Sequence, residues 1–130
     1  MSVRRRGDKI SVMVVDDDEQ LRIVLVEMLS LDGYHVRACP DAYSALKTLE
    51  HEKFDLLLTD LGMPGMSGLE LAGTVHTTYP HMPIALITGL RAEVNEDKAL
   101  KKGVRAVLLK PFQRQELTAL IRQLVTETKL

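Results

Sequence analysis

Hydrophobic residues along this chain fall into short continuous runs that are separated by longer stretches of mixed polarity. Four of the runs are rich in branched side chains, and they lie at residues 12–15, 56–58, 84–87 and 106–109. Continuous rather than alternating hydrophobicity is typical of strands covered on both faces, so these runs predict the buried strands of a parallel sheet. A weaker and more polar run from Tyr34 to Ala38 predicts an edge strand.

The stretches between the runs have the apolar spacing of α-helices. Ser67 and Glu70 have the spacing of a capping box, which predicts a third helix that starts at Ser67 and runs towards Tyr79. Three other helices are predicted by apolar stripes: Leu21, Val24, Leu25, Met28 and Leu29 before a stop at Gly33; Ala42, Ala45, Leu46 and Leu49; and, from about Gln113, Leu117, Leu120, Ile121, Leu124 and Val125.

The fourth helix is expected between Glu93 and Lys102, and it should be loosely held because Ala99 and Leu100 are the main members of its apolar stripe. Strand and helix therefore alternate throughout. This predicts an α/β fold with a doubly wound five-stranded parallel sheet and helices on both faces. The 130 residues suit one domain, expected at 10–127 with a flexible N-terminal tail at 1–9 and a C-terminal tail or start of a linker at 128–130.

Composition excludes several classes of partner. The 17 basic and 18 acidic residues give a formal net charge of −1, so no overall field favours direct binding to nucleic acid or to an anionic membrane. The basic triplet that begins at Arg4 is interpreted as a solvated tail. Cys39 is the single cysteine, which indicates a reducing, cytoplasmic compartment. No apolar run approaches the roughly 20 residues of a membrane-spanning helix.

Charged and hydroxyl side chains follow four of the predicted strands. Asp16 and Asp17 come after the first strand, Asp60 after the third, Thr88 after the fourth and Lys110 after the fifth. Because the carboxyl ends of parallel strands meet at one edge, these side chains should converge there. Two carboxylates about 4 Å apart repel by about 4 kcal/mol at an effective dielectric near 20, so a hard cation such as Mg²⁺ is expected among them, with Lys110 as the second positive charge.

Each of these residues also has a purely structural interpretation. Acidic residues at a helix start cap free amides, and Asp18 and Glu19 are assigned to that role. Asp60 could form a turn, Thr88 could be an ordinary strand residue and Lys110 a surface lysine. Their common position at the ends of neighbouring strands favours a pocket instead. The Lys110–Pro111 bond could be cis or trans.

In this order and spacing the residues resemble the receiver domains of two-component response regulators. The resemblance covers Ser11 to Val125, and its sheet order would be 2-1-3-4-5. The residues that carry it are Val14-Val15-Asp16-Asp17-Asp18, Thr59-Asp60-Leu61-Gly62-Met63-Pro64-Gly65-Met66-Ser67-Gly68-Leu69-Glu70, Ile87-Thr88-Gly89 and Leu109-Lys110-Pro111-Phe112.

The resemblance implies that Asp60 is the nucleophile that takes a phosphoryl group from a histidine kinase or histidine phosphotransfer protein. It implies that Asp17, Asp60 and the carbonyl oxygen of Gly62 hold Mg²⁺, with Asp16 acting through water. Lys110 and the Thr88 hydroxyl would then contact phosphoryl oxygens, and the backbone amides of Leu61 and Gly89 would complete the phosphoryl site.

The same resemblance implies a surface that switches on phosphorylation, formed by the fourth helix, the fifth strand and the fifth helix, through which a homodimer could also form. The chain could be a free regulator or part of a larger hybrid kinase. Ile23 and Val26 lie off the main apolar stripe of the first helix, and we expect them to help dock the phosphodonor.

Two departures from the family pattern change the expectations. Val107 stands where the family often has an aromatic residue, which excludes an aromatic rotamer switch. Gly62 and Leu90 stand two residues after Asp60 and Thr88, where polar side chains often orient the hydrolytic water. We therefore predict that the protein, which is not a conventional enzyme, catalyses its own aspartyl phosphorylation and only a slow dephosphorylation.

Two alternatives remain open from the sequence. Asp16 and Asp18 after a strand, followed by Thr88 and Lys110, also resemble haloacid-dehalogenase phosphohydrolases, in which Asp16 would be the nucleophile. That family needs a further acidic pair after its lysine and has no use for Asp60. The second alternative is a receiver-like binding module that is never phosphorylated.

Overall fold

The structure, a computed structural model, describes residues 9–89 and 94–128, the last two by their backbone alone. Within this part of the chain five strands alternate with five helices. In chain order they are β1 (Ser11–Val15), α1 (Glu19–Leu31), β2 (His35–Cys39), α2 (Ala42–Leu49), β3 (Leu56–Asp60), α3 (Gly68–Thr78), β4 (Ile84–Thr88), α4 (Glu96–Lys101), β5 (Val104–Leu109) and α5 (Arg114–Thr128).

The strands form one parallel sheet in the order β2-β1-β3-β4-β5. This confirms the doubly wound order, and it confirms that the polar run after Tyr34 is an edge strand. The chain passes outward from β1 to β2 and then back past β1 to β3. The reversal leaves the carboxyl ends of β1 and β3 side by side, the place where ligands bind in open α/β sheets.

Alternate residues of each central strand enter two separate apolar cores. Met13 lies in the core that α2 and α3 cover, whereas its neighbour Val14 lies in the core that α1 and α5 cover. Leu57 and Leu58 divide between the two cores in the same way. Side chains of a strand alternate between faces, so two helical layers require every strand position to be apolar. The continuous hydrophobic runs in the sequence have this cause.

The helix boundaries depend on local side-chain caps. Asp18 caps α1 by accepting the amides of Gln20 and Leu21, at 3.0 and 3.3 Å. The Ser67 and Glu70 side chains form the predicted capping box at the start of α3. Gly33 follows α1 with φ +91°, a left-handed conformation that suits glycine and ends the helix where the sequence predicted.

Two apolar residues that were predicted to face the core are exposed. Val24 of α1 is 46% exposed, because the buried stripe of that helix is centred on Leu25 and Leu29. Leu100 of α4 is 68% exposed. The helix runs only from Glu96 to Lys101, and a helix of fewer than two turns buries a narrow face, which Ala99 alone occupies.

The predicted limits of the domain fall mainly on residues that are not described. Of the tails at 1–9 and 128–130, only residues 9 and 128 lie inside the described ranges, and Glu93, the predicted start of the fourth helix, lies outside them. Among the described helices, none has both the length and the apolar character needed to cross a membrane.

Candidate functional site

Backbone hydrogen bonds tie the carboxyl ends of the strands together. They continue the sheet pairing just beyond the strands that carry the predicted site residues, so the loops leave the sheet from fixed positions. The amide of Asp16 donates to the carbonyl of Cys39 at 3.1 Å, that of Leu61 to Ile87 at 3.3 Å, and that of Lys110 to Thr88 at 2.9 Å.

Three carboxylates meet at this edge. One oxygen from each of Asp16, Asp17 and Asp60 lies within 4.8 Å of the others. Asp16 is 1% exposed and Asp60 is 8% exposed, whereas Asp17 faces solvent. The edge therefore holds two carboxylates that are largely removed from water and a third that closes the cluster on its outer side.

Lys110 bridges the two buried carboxylates. Its Nζ donates to Oδ1 of Asp60 at 3.1 Å and to Oδ2 of Asp16 at 3.2 Å. The Lys110–Pro111 peptide bond, which the sequence left undecided, is cis. One ammonium thus contacts two acids that come from different strands, and this contact brings the ends of β1, β3 and β5 to one point.

Burial and charge act in opposite directions on these groups. Burial raises the pKa of Asp60, and the negative charges of Asp16 and Asp17 raise it further, against the hydrogen bond from Lys110. Burial by itself lowers the pKa of Lys110, but its hydrogen bond to Asp60 and the charge of Asp16 outweigh burial and leave that pKa raised. The cluster thus places three carboxylates beside the ammonium of Lys110.

The donor set of the cluster fits a hard divalent cation. Mg²⁺ takes oxygen ligands and commonly binds through one or two carboxylates while it keeps several waters. Asp16, Asp17 and Asp60 offer carboxylate oxygens close enough to share one ion. The exposed position of Asp17 leaves room for waters on that side.

The other predicted residues lie around this cluster. Thr88 ends β4, is 2% exposed, and accepts the Lys110 amide through its carbonyl oxygen. Gly62 and Gly89 are exposed, and the space around an added Cβ at either glycine is open to 4 Å. The amide of Leu61 is engaged by a backbone carbonyl, as described above. Leu90 lies outside the described residues.

Two contacts at the site were not predicted from the sequence. A Cβ on Gly68 would lie 1.9 Å from the carbonyl oxygen of Asp60, so the start of α3 passes directly against the backbone of that aspartate. Arg22 of α1 donates through Nη1 to the carbonyl oxygen of Asp16 at 2.7 Å. Gly68 belongs to the capping motif, but nothing in the sequence indicated that it lies against the Asp60 backbone. Nothing in the sequence indicated the contact between Arg22 and the Asp16 carbonyl either.

A separate cavity of about 690 Å³ lies at the opposite edge of the sheet, where β3 and β4 begin. The residues that line it include Phe54, Tyr79 and Met82. None of the predicted site residues is among those that line it. The carboxylate cluster therefore lies apart from this cavity.

Comparison with known proteins agrees with the geometry of the site. The family model described as "Response regulator receiver domain" matches residues 12–122. The chain is 38% identical over 110 residues to the response regulator protein FleR of Pseudomonas aeruginosa, a match that covers 85% of this chain and 23% of FleR. It is 36% identical over 115 residues to the response regulator receiver protein CpdR of Brucella abortus, covering 88% of this chain and 95% of CpdR.

A solved structure has the same fold. It is the CheY-like response regulator receiver domain protein of Methanospirillum hungatei JF-1, with a TM-score of 0.89 and 29% sequence identity, over 94% of this chain and 98% of that chain. The chain therefore spans nearly all of some relatives and about a quarter of a longer one such as FleR.

Proposed function

This chain belongs to the response regulator receiver domain family of two-component signalling, and from that premise we propose that it accepts a phosphoryl group on the carboxylate of Asp60, beside a bound Mg²⁺. Receiver domains take phosphoryl groups from histidine kinases. The observation that carries the assignment to Asp60 is the bridge of Lys110 Nζ to Asp60 and Asp16, with Asp17 in the same cluster.

In the proposed transfer, a carboxylate oxygen of Asp60 attacks the phosphorus of a phosphohistidine on the partner. A P–O bond forms and the P–N bond breaks, and the electron pair returns to the imidazole nitrogen of the leaving histidine. Lys110 then pairs with a phosphoryl oxygen instead of the Asp60 carboxylate, and the Thr88 hydroxyl donates to a second oxygen. Catalysis of this kind is mostly positioning and charge neutralisation.

The backbone amides of Leu61 and Gly89 complete the proposed phosphoryl site. The Leu61 amide donates to the Ile87 carbonyl at 3.3 Å, a long hydrogen bond that it would have to share or give up. The new acceptors on the phosphoryl group compensate for that loss, because hydrogen bonds to charged groups are the stronger ones.

Asp17, Asp60 and the Gly62 carbonyl would hold Mg²⁺, with Asp16 acting through water. When bound, the ion supplies the positive charge that lets an anionic carboxylate and an anionic phosphoryl group approach each other. Asp16 is already held by Lys110 and by the Asp18 amide at 2.9 Å, which suits an indirect role better than direct ligation.

We propose that phosphorylation changes the surface formed by α4, β5 and α5. Attraction of the Thr88 side chain towards the phosphoryl group would move the loop that leads into α4, which has Ala99 as its single buried residue. Val107 of β5 is half-buried, and it lacks the aromatic ring that a rotamer switch would need. A homodimer through this surface is part of the same proposal.

The phosphodonor is proposed to be a histidine kinase or a histidine phosphotransfer protein that docks on α1. Ile23, the fifth residue of that helix, is 52% exposed, and Val26 is half-buried. Ile23→Asp should slow phosphotransfer from such a donor. Leu31→Asp is the matched control, since Leu31 is 77% exposed on the same helix but about 12 Å further along its axis. Equal rates for the two variants would contradict docking through Ile23.

The relatives include a long and a short response regulator. We propose that the whole protein is either a free regulator or part of a larger hybrid kinase. We propose a cytoplasmic location, in keeping with the free and buried Cys39. We also propose that the receiver domain spans residues 10–127.

Phosphoryl uptake tests the central proposal. The protein is incubated with Mg²⁺ and acetyl phosphate, and the covalent adduct is measured by intact mass spectrometry. Asp60→Asn should abolish the adduct and Asp17→Asn should reduce it strongly. Asp18→Asn is the matched control, because asparagine caps a helix as well as aspartate does and Asp18 lies outside the carboxylate cluster.

Asp16→Asn distinguishes the dehalogenase alternative, in which Asp16 rather than Asp60 would carry the phosphoryl group. None of the similarities found favours that alternative or the unphosphorylated module. An adduct that survives Asp60→Asn and disappears in Asp16→Asn would overturn the assignment to Asp60. A phosphorylated half-life of seconds would contradict the proposed slow dephosphorylation.

A further inference from the structure

We infer that Arg22 is a positioning residue for the carboxylate cluster: its guanidinium fixes the peptide that joins Asp16 to Asp17 and so sets how tightly the cluster binds a divalent cation. This inference rests on the proposed cation site. It goes beyond that site because it gives a role to a residue that contacts neither the cation nor the phosphoryl group.

The contact is short and specific. Nη1 of Arg22 donates to the carbonyl oxygen of Asp16 at 2.7 Å, and that carbonyl belongs to the peptide whose amide is the backbone N–H of Asp17. Arg22 is half-buried, and its own amide donates to the carbonyl of Asp18 at 3.0 Å within the first turn of α1. Its side chain therefore runs back towards the helix start, the direction that helical side chains favour.

Arg22 completes the anchoring of Asp16. The amide of Asp16 donates to Cys39 at 3.1 Å, one carboxylate oxygen accepts the Asp18 amide at 2.9 Å, and the other accepts Lys110 Nζ at 3.2 Å. The carbonyl oxygen is the remaining polar atom, and Arg22 binds it. Each polar atom of a nearly buried aspartate is thus bound by a different residue.

A contribution to the stability of α1 does not explain why an arginine stands at position 22. A cation near the N-terminus of a helix opposes the helix dipole, so the macrodipole gives Arg22 no favourable interaction there. Arg22 is half-buried and its guanidinium is bound to a carbonyl, although an arginine on a helix surface can extend its charged end into water. The position of the guanidinium is explained by its hydrogen bond to the backbone that carries Asp17 into the cluster.

Asp17 depends on this anchor more than Asp16 does. Asp17 is exposed, and its carboxylate reaches the other two through the orientation of its own backbone. Hydrogen bonds just outside the ligands of a metal site orient those ligands, and their loss typically weakens metal affinity about 10- to 100-fold. Removal of the guanidinium should therefore weaken cation binding without removing any ligand.

The test compares three variants in the full chain. Arg22→Gln removes the charge and the guanidinium, and Arg22→Lys keeps the charge but loses the rigid fork of donors. Arg37→Gln is the matched control, because it removes the same charge from β2, where Arg37 pairs with Glu52 rather than with the cluster. Calorimetric titration with Mg²⁺ should give a Kd about tenfold higher for Arg22→Gln. The Kd should be intermediate for Arg22→Lys and should equal that of the wild type for Arg37→Gln.

A second measurement is made without any metal. Amide hydrogen exchange at Asp17 and Asp18 should be faster in Arg22→Gln than in the wild type, with exchange in the core strands β3 and β4 unchanged. A merely structural role for Arg22 would raise exchange throughout the domain instead, and that result would overturn the inference. If Arg22→Gln does not fold, the same two measurements on Arg22→Lys decide the matter.

Equal Mg²⁺ affinity and equal exchange in Arg22→Gln and the wild type would overturn the inference. So would a loss of affinity in Arg37→Gln as large as that in Arg22→Gln, since long-range charge would then explain both. If the wild type binds no Mg²⁺, the proposed cation site fails, and the exchange measurement still decides whether Arg22 orders the peptide.

Discussion

The start of α3 lies so close to the backbone of Asp60 that we expect the same change, glycine to alanine, to have opposite effects on stability at Gly68 and Gly73 of that helix. An ideal Cβ on Gly68 would lie 1.9 Å from the carbonyl oxygen of Asp60, 2.8 Å from its carbonyl carbon and 3.0 Å from the Cα of Leu61. Ordinary contacts between heavy atoms are about 3.5 Å or more. Gly68→Ala must therefore move the start of α3 or the end of β3 by more than 1 Å.

Because the obstructing atoms belong to the backbone, no side-chain rotation relieves the clash. Overpacking of this kind costs about 1–3 kcal/mol, and a shift also strains the 2.8 Å hydrogen bond from the Gly68 amide to the Leu61 carbonyl, worth about 1 kcal/mol. The better helix propensity of alanine returns up to about 1 kcal/mol. We expect Gly68→Ala to lower the free energy of unfolding by about 1–3 kcal/mol.

Gly73→Ala is the matched control on the same helix. Its Cβ would lie 3.4 to 3.5 Å from the flexible side chain of Lys102, which is ordinary contact, so the substitution should stabilise the protein by about 0.5–1 kcal/mol. Urea unfolding at 25 °C without divalent cations measures both changes. A Gly68→Ala protein as stable as the wild type, or a Gly73→Ala protein that loses as much as Gly68→Ala, would refute this account of the contact.

Three further predictions concern single side chains. Burial raises the pKa of Asp60, so ionisation of this group costs more in the folded state than in the unfolded chain. Without divalent cations, Asp60→Asn should therefore be as stable as the wild type at pH 3 and more stable than the wild type as the pH rises through that pKa. A gain in stability confined to low pH would contradict this sign. Tyr79→Phe removes the 3.1 Å hydrogen bond from the hydroxyl to the Leu49 carbonyl and should cost about 1 kcal/mol in urea unfolding; an unchanged midpoint would mean that water replaces the bond. Gly62→Asn places a polar side chain in open space two residues after Asp60, and it should shorten the half-life of the phosphorylated protein, measured by loss of the covalent adduct. Gly89→Ala adds a side chain that is also in open space, and it should leave that half-life unchanged.

Much of the fold could be predicted because burial on both faces leaves a direct trace in the sequence. Strand positions such as Met13 and Val14 face different cores, and both must be apolar. The capping box that starts with Ser67 is equally local, since its two hydrogen bonds join residues three apart. Features that depend on neighbours in sequence, or on one strand between two helix layers, were therefore predicted correctly.

The errors fall where a residue lies near the edge of a helical stripe. Val24 precedes Leu25 by one residue, which is 100° of rotation, and that angle separates a buried side chain from one that is 46% exposed. Leu100 follows the buried Ala99 by one residue, and the same rotation leaves it exposed. A spacing pattern records the direction of a stripe but not its width, because the width depends on how closely the helix approaches the sheet.

At the site, the sequence predicted which residues share an edge but not what holds them there. The contact between Gly68 and the Asp60 backbone, and that between Arg22 and the Asp16 carbonyl, involve main-chain atoms of the partner. Such contacts leave no requirement on the partner's side chain, so no pair of residue types marks them. They follow from the path of the backbone, which requires the assembled fold.

The carboxylates of the cluster differ in how they are held, and this difference bears on how the site works. Asp16 is buried and is bound at each polar atom by the rest of the protein, so it behaves as part of the framework. Asp17 is exposed and keeps its place through the backbone. Asp60 lies between these extremes, largely buried but held at its carboxylate by a lysine that a phosphoryl group could draw away. The proposed exchange of a cation and a phosphoryl group fits this gradation. A carboxylate bound as firmly as Asp16 would be slow to change partners, and carboxylates that were all as exposed as Asp17 would not hold the cluster together.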